Sequence, residues 1–450
     1  MNRITIIGGG ASGTLLAANL LRATGEQLVE INVVEKAPSL GRGVAYSTPD
    51  DIHLLNVPAA RMTAFADEPD HFLNWLEGNG YQFGPTAFVP RKIFGSYLNA
   101  VVRMAEESKH DLVKLNIFED DAVDISIKDG KAEVMLASGE YLYSEKVVLA
   151  FGNFLPPQPS VRDLSFTTDP KYFRSPWHEG VFESIGNEDD VLIIGTGLTM
   201  VDVVMKLAHS AHTGKIYALS TRGLIPAVHK LGDTYPSFAD ELVPMTRITD
   251  LLKSVRRHIK TAGEQNIDWR AVIDSLRPVT QQLWQNLPIS EKRYFMQHLS
   301  RYWNVARHRM PAEAAAVLDK LRENGRLEIR KGRLQKIEST DGFDVEYLAD
   351  STSHSLKAHA IINCIGSESN FRKLDSQLVS TLFERGYIRS DALNFGIDAL
   401  PNGSVVGQNG ENSDVTFTLG TALKGTLWET TAIPEIRTQA RQLAHLLLST

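Results

Sequence analysis

Hydrophobic and polar positions change period twice along this chain, in the same way each time. Near the N-terminus, Ile4-Thr5-Ile6-Ile7 is a short, nearly continuous apolar run of the kind a buried strand shows. It passes into Gly8-Gly9-Gly10-Ala11-Ser12-Gly13, and a helical pattern follows from Leu15 and Leu16. A second strand is predicted over 30–35. The block returns as Ile193-Ile194-Gly195-Thr196-Gly197-Leu198-Thr199-Met200, with its own second strand predicted over 215–221. Both read as strand, tight turn, helix, strand.

Each block is followed by alternating segments with turn signals and then by an apolar run that ends in glycine. In the first half, 115–142 holds the turn Lys128-Asp129-Gly130-Lys131 and leads to Val147-Val148-Leu149-Ala150-Phe151-Gly152. In the second, 327–356 holds Ser339-Thr340-Asp341-Gly342 and leads to Ala360-Ile361-Ile362-Asn363-Cys364-Ile365-Gly366. Two halves on one plan predict an α/β fold. It consists of two Rossmann-like dinucleotide-binding domains, three-layered, each a parallel sheet with a β-meander, and a helix-rich insertion in the second. The expected division is 1–155 with 367–450 for the first domain and 186–366 for the second, with the insertion over 236–324. The stretch 156–185, opening Pro156-Pro157-Gln158-Pro159, reads as a linker. The tail repeats nothing and ends in an amphipathic helix over 432–448, with Pro434 in its first turn, expected to return to the first domain.

Composition then removes whole classes of function. The 450 residues carry 47 Lys and Arg against 54 Asp and Glu, a net charge of −7. With no basic surplus to neutralise phosphates, nucleic acid is not an expected partner. The single cysteine, Cys364, excludes an internal disulfide, a CxxC redox pair and a thiolate zinc cage. Inside an apolar run it reads as a small hydrophobe. No window is apolar enough for a membrane span, and the N-terminus enters its first strand without a signal-peptide pattern, so a soluble, cytoplasmic protein is expected. His53, His178 and His229 lack ligand spacing, and no metal site is expected. No catalytic residue can be assigned from spacing.

The candidate chemistry lies in the two glycine blocks. Gly8 permits a tight turn, Gly10 lets the backbone approach a pyrophosphate, and Gly13 lets helix and strand pack closely. Glu35, 27 positions after Gly8 and followed by Lys36, can accept ribose hydroxyls and would repel a 2′-phosphate. The second block keeps Gly195 and Gly197, followed by Leu198 and Thr199, but has Met200 where the first has Gly13, which predicts a wider helix–strand spacing. At the position equivalent to Glu35 stands Arg222, after Thr221. A cation and a hydroxyl there favour NADPH, with NADH possible; a solvated turn residue is the plain alternative for Arg222. Opposite charges at the two ribose positions imply two different cofactors, with FAD at the acidic first site. Hydride transfer from NADPH into flavin follows. The N-terminus of the final helix, near Thr431, would stabilise reduced flavin if the tail folds back.

These motifs resemble the FAD/NAD(P)-binding proteins of a largely uncharacterised bacterial family, similar in plan to single-component flavin-dependent monooxygenases. The resemblance rests on the first glycine block, on Gly41-Arg42-Gly43-Val44-Ala45-Tyr46 with His53-Leu54-Leu55-Asn56-Val57-Pro58, on 195–202, and on Trp428-Glu429-Thr430-Thr431-Ala432-Ile433-Pro434-Glu435. It implies Arg42, Asn56 and Arg61 as flavin-side contacts, although Asn56 also suits a buried turn. Ser12 and Gly420 join the cofactor-binding candidates. It further implies oxygen transfer from dioxygen to a small-molecule substrate through a flavin 4a-hydroperoxide. Two features depart from the related enzymes. Phe151-Gly152-Asn153 lacks the usual Thr, and the Baeyer–Villiger fingerprint is absent, with Tyr172 to His178 offering similar residues in another order. The second departure counts against ketone oxygenation. Because spacing by itself supports only hydride transfer into a flavin, an NAD(P)H:acceptor reductase without oxygen insertion and a non-catalytic dinucleotide sensor or scaffold stand as alternatives. Arg307-His308-Arg309 reads as a basic helix face ending at Met310-Pro311 rather than as an anion site. Substrate specificity is expected in the 236–324 helices, and the oligomeric state is left unassigned.

Overall fold

The computed structural model describes residues 2–23, 25, 27–37 and 40–449. In chain order the strands are β1 (Asn2–Ile7), β2 (Val29–Val34), β3 (Val113–Phe118), β4 (Ala122–Lys128), β5 (Lys131–Leu136), β6 (Tyr141–Ser144), β7 (Lys146–Leu149), β8 (Tyr172–Phe173) and β9 (Val191–Ile194). They continue with β10 (Ile216–Ser220), β11 (Leu327–Lys331), β12 (Arg333–Thr340), β13 (Gly342–Ala349), β14 (Thr352–Ala358), β15 (Ala360–Asn363), β16 (Ser404–Val406) and β17 (Asn412–Thr418).

The first sheet has the order β16-β17-β7-β1-β2-β3, parallel except for β16. Its central strand β1 has apolar residues buried on both faces, as the run Ile4 to Ile7 requires when helices cover one side and strands the other. On one face, Ile4 and Ile6 pack with the helices Ala11–Ala23, Arg91–Glu107 and Ile433–Ser449. On the other, Ile7, Val147 and Leu149 pack with the meander β4-β5-β6 and the helix Gln377–Glu384. The buried Thr5 is satisfied by Ser144, whose Oγ lies 2.5 Å from its own. The tail contributes β16 and β17 to this sheet and the final helix to the core on its helical face.

The second sheet repeats the plan in the order β11-β10-β9-β15-β8, all parallel. Helices Leu198–His209 and Ala312–Glu323 cover one face, and the meander β12-β13-β14 covers the other. Met200 is fully buried in the helix-side core of the second domain.

Two boundaries differ from the expected ones. Within 236–324, the helix Ala312–Glu323 is not part of the insertion, because Ala314, Ala315 and Leu318 give it an apolar face seated on the second sheet. The remaining helices form their own core around Leu251, Val272, Trp284 and Phe295, and Leu393 and Trp428 of the tail pack against it. The linker 156–185 likewise does more than connect: Tyr172 and Phe173 add an edge strand beside β15, and Phe166 is fully buried under the second meander.

The two domains are tied by charge. The Arg91 guanidinium lies 2.8 Å from the buried Asp202, and Lys206 lies 2.8 Å from Asp50. Burial pushes Asp202 up to about 6, and Arg91 opposes that rise. Among the described residues, no helix is long and apolar enough to cross a membrane.

Candidate functional site

The first glycine turn is closed where protein packs and open where a ligand would lie. Gly8 has φ +102°, and a Cβ there would lie 2.6 Å from the Ala150 carbonyl oxygen. A Cβ on Gly13 would sit 1.9 Å from the Gly8 carbonyl oxygen, so the helix meets its own turn at backbone contact. At Gly10 the nearest atom is Gly43 Cα at 3.8 Å, leaving a free approach to the helix N-terminus. Those N–H groups and the open side of Gly10 fit a pyrophosphate.

Glu35 stands at the end of β2, as the spacing predicts, and is already anchored. One carboxylate oxygen accepts the Gly9 N–H at 2.7 Å and the other accepts the Ala37 N–H at 3.0 Å. This fixes its orientation and leaves lone pairs for ribose hydroxyls. Lys36, Arg42 and Arg61 are exposed. The Asn56 carbonyl takes a 2.9 Å hydrogen bond from His229 of the second domain. The Arg61 carbonyl accepts from Arg437 of the final helix at 3.2 Å. The backbone at 56 and 61 is thus held by other parts of the fold.

Ser12 is joined by the tail. Gly420, at φ +74°, lies so close that a Cβ there would be 2.5 Å from Ser12 Oγ. Its N–H donates to Gln439 at 2.9 Å, and its carbonyl accepts from Thr430 Oγ1 at 3.0 Å. Gln439 donates to the same Thr430 hydroxyl at 2.6 Å, closing a buried ring of bonds at the start of the final helix. Sequence spacing alone could not place Gly420 and Ser12 together.

The second turn opens into a cleft of about 710 Å³. Gly195, φ +112°, is pressed against Cys364, whose carbonyl oxygen would be 2.4 Å from an added Cβ, whereas Gly197 faces open space. Gly195, Gly197, Leu198, Thr199, Thr221 and Arg222 all line this cleft, and Arg222 is exposed at it. Thr196 helps to shape the turn: its hydroxyl bonds Ser220 Oγ at 2.8 Å and the Leu224 carbonyl. The far part of the cleft is built by the tail, through Phe395, Lys424, Trp428, Glu429 and Thr431. Asn304 and His308 come from the insertion.

The run Arg307-His308-Arg309 corrects the reading as a solvated basic face. Arg309 is 2% exposed and pairs with Asp274 at 2.9 Å, while Arg307 is buried between Glu429 and Glu435, 3.8 Å from each. Glu435 is also held by Arg277 at 2.9 Å, and Glu429 accepts the Trp303 indole N–H at 2.7 Å. These arginines are structural because the acids that neutralise them come from distant segments. Burial lowers the pKa of His308, which therefore faces the cleft with weakened basicity. Cys364 is the buried small hydrophobe expected, its thiol pushed well up by burial. Among the described residues, no group of His, Cys, Asp and Glu side chains could hold a metal ion.

Lys424 and Phe395 belong to no pattern that spacing reveals, and Trp428, though part of the tail motif, carries no local mark of walling the cleft. Trp428 has φ +61°, an unusual backbone for a bulky residue that only the folded structure reveals.

Two pyrophosphate-type turns, each opening a helix beside a largely parallel sheet, define a two-dinucleotide α/β protein, and the second of them lines the cleft. Comparison with known proteins agrees. Residues 5–154 match the family model described as FAD-NAD(P)-binding, a span that takes in the first turn, Glu35 and the strand end at Phe151. No curated protein sequence matches the chain. Among solved structures, an L-lysine 6-monooxygenase from Pseudomonas syringae shares 16% identity over 100% of this chain and 99% of that one, with a TM-score of 0.66. An ornithine N-hydroxylase from Kutzneria sp. 744 shares 13% identity over 99% and 98%, with a TM-score of 0.63. A bacillithiol disulfide reductase from Staphylococcus aureus shares 12% over 100% and 99%, with a TM-score of 0.55. At such identities the likeness is one of fold. The expected fold class and the resemblance drawn from the motifs are both borne out.

Proposed function

We propose that this protein is an FAD-dependent oxidoreductase reduced by NADPH, of monooxygenase type, acting with dioxygen on a small-molecule substrate. The observation that carries this reading is the continuity of the cleft. Its lining runs from Gly195 and Arg222 to Trp428 and Thr431, on the same tail segment whose Gly420 closes against Ser12 of the first turn. Occupants of the two turns would be brought toward one another at the tail.

The Gly8 to Gly13 turn and Glu35 would hold the pyrophosphate and adenosine ribose of FAD, with Arg42, Asn56 and Arg61 on the flavin side. Thr199 and the Gly197 edge would receive the NADPH pyrophosphate, and Thr221 with Arg222 the 2′-phosphate. Bound FAD supplies the two-electron chemistry and, in a monooxygenase, the activation of dioxygen. The protein orients the cofactors, and the Thr431 end of the final helix presents its positive dipole to developing negative charge. The insertion packs over the far wall through Trp284 and Trp428, whose rings stack 5.0 Å apart, and shields that end from water. With Cys364 the sole cysteine, no dithiol relay of the disulfide-reductase kind is available.

The test is spectroscopic. Purified protein should be yellow and should be bleached by NADPH without oxygen; colourless protein would overturn the flavin assignment. A yellow protein that NADPH does not bleach would support a non-catalytic binder. After reoxidation under ¹⁸O₂ with amines, acids and phenols, label in an organic product supports oxygenation, whereas peroxide alone supports the acceptor-reductase reading.

A further inference from the structure

The cleft holds a cation to which the proposed cofactor placement gives no role. Lys424 opens the short helix Lys424–Leu427, between Gly420 and Trp428. Its ammonium stands 5.5 Å from the centre of the Phe395 ring and 3.5 Å from Ser369 Oγ. Among the described residues, no carboxylate forms an ion pair with it. The acids nearby are committed elsewhere. Glu429, which also lines the cleft, accepts from Trp303 and lies beside Arg307. Asp391 accepts the Leu393 and Phe395 N–H groups at 2.8 and 2.7 Å. His308 also faces Lys424, and with its basicity weakened by burial it brings no counter-charge.

An ammonium held largely out of water is expensive unless an anion joins it. Burial accordingly pulls the Lys424 pKa down, and no neighbouring acid raises it. Nucleotide phosphates have their own donors at the second turn and at Arg222. An anion of another source is therefore the missing partner, in a recess walled by Phe395 and Trp428, whose rings lie 6.0 Å apart.

We propose that Lys424 receives a carboxylate of the substrate, so that the substrates are small carboxylic acids whose apolar body lies against Phe395 and Trp428. This rests on the reading of the cleft as the substrate side of an oxidoreductase. It specifies the acid end of the molecule and leaves the reacting atom undefined.

The probe pair is hexanoate and hexanamide, which share an apolar chain and differ in charge, titrated into the full-length protein by ligand-observed NMR. Hexanoate should bind at least tenfold more tightly than hexanamide. Lys424→Met should remove that preference and Lys424→Arg should restore most of it. Equal binding of the two probes, or an undiminished preference in Lys424→Met, would overturn the proposal. So would a tenfold loss of NADPH affinity in Lys424→Met with hexanoate binding untouched, since Lys424 would then serve the cofactor. The readout does not depend on turnover. Failure of the flavin assignment would appear as colourless protein, and failure of the Lys424 site as lost charge discrimination.

Discussion

Gly420 and Ser12, 408 positions apart in the chain, meet so closely that a single methyl group on Gly420 would lie 2.5 Å from the Ser12 hydroxyl. The tail is thereby seated on the first helical turn of the first dinucleotide site. Gly420 sits at φ +74°, where any Cβ is strained, and both of its backbone polar groups are bound to the final helix segment. Gly420→Ala should lower stability by about 1–3 kcal/mol and reduce the flavin-to-protein ratio. Differential scanning fluorimetry checks the first, and the visible flavin absorbance of the purified protein checks the second.

Gly10 behaves differently, because nothing in the protein occupies the space beside it. Gly10→Val should leave the fold intact and abolish FAD retention, since the side chain would fill the pyrophosphate approach. Unchanged flavin content with unchanged circular dichroism would show that the first turn does not hold the cofactor.

Arg222 is exposed at the cleft, free to meet a phosphate. Arg222→Ala should raise the KM for NADPH at least about tenfold, the equivalent of ~1.5–3 kcal/mol for a charge-assisted contact, and leave that for NADH nearly unchanged. Equal changes for both nucleotides would remove the 2′-phosphate assignment.

Arg91 and Asp202 join the two domains at 2.8 Å, both largely buried. Asp202→Asn would leave the guanidinium without its counter-charge, a loss of about 3–5 kcal/mol for breaking a buried pair. Denaturant unfolding should show the midpoint fall. Replacing both residues, in Arg91→Met with Asp202→Leu, should recover much of the loss, because desolvation is relieved together with attraction.

His53 supplies a pH dependence. It is 2% exposed, its Nδ1 bonds the Thr48 hydroxyl at 2.6 Å, and its Nε2 has no partner. Burial first, then the Arg91 charge, lowers its pKa to about 4 from 6.5. The unfolded chain therefore binds a proton that the folded chain refuses between those values, and stability falls as pH drops through that window. The loss is about 1 kcal/mol per pH unit. His53→Gln should flatten the decline of Tm between pH 6.5 and 4.5, whereas an unchanged slope would assign it to other groups.

The sequence by itself determined the two domains, the turn at each glycine block, the anchoring end of β2 at Glu35 and the cation at Arg222. All are local patterns, because a strand, a tight turn and a helix N-terminus are specified by residues within one short segment. The assembled cleft was decided only by the tertiary structure. Lys424 and Trp428 reach it from the tail and His308 from the insertion, while Arg307 and Arg309, basic in sequence, are neutralised by acids at 429, 435 and 274. Whether a charge is a solvated surface feature, a buried structural partner or an unpaired group awaiting a ligand depends on which distant segments fold against it. That information lies in packing between elements, which no local period encodes.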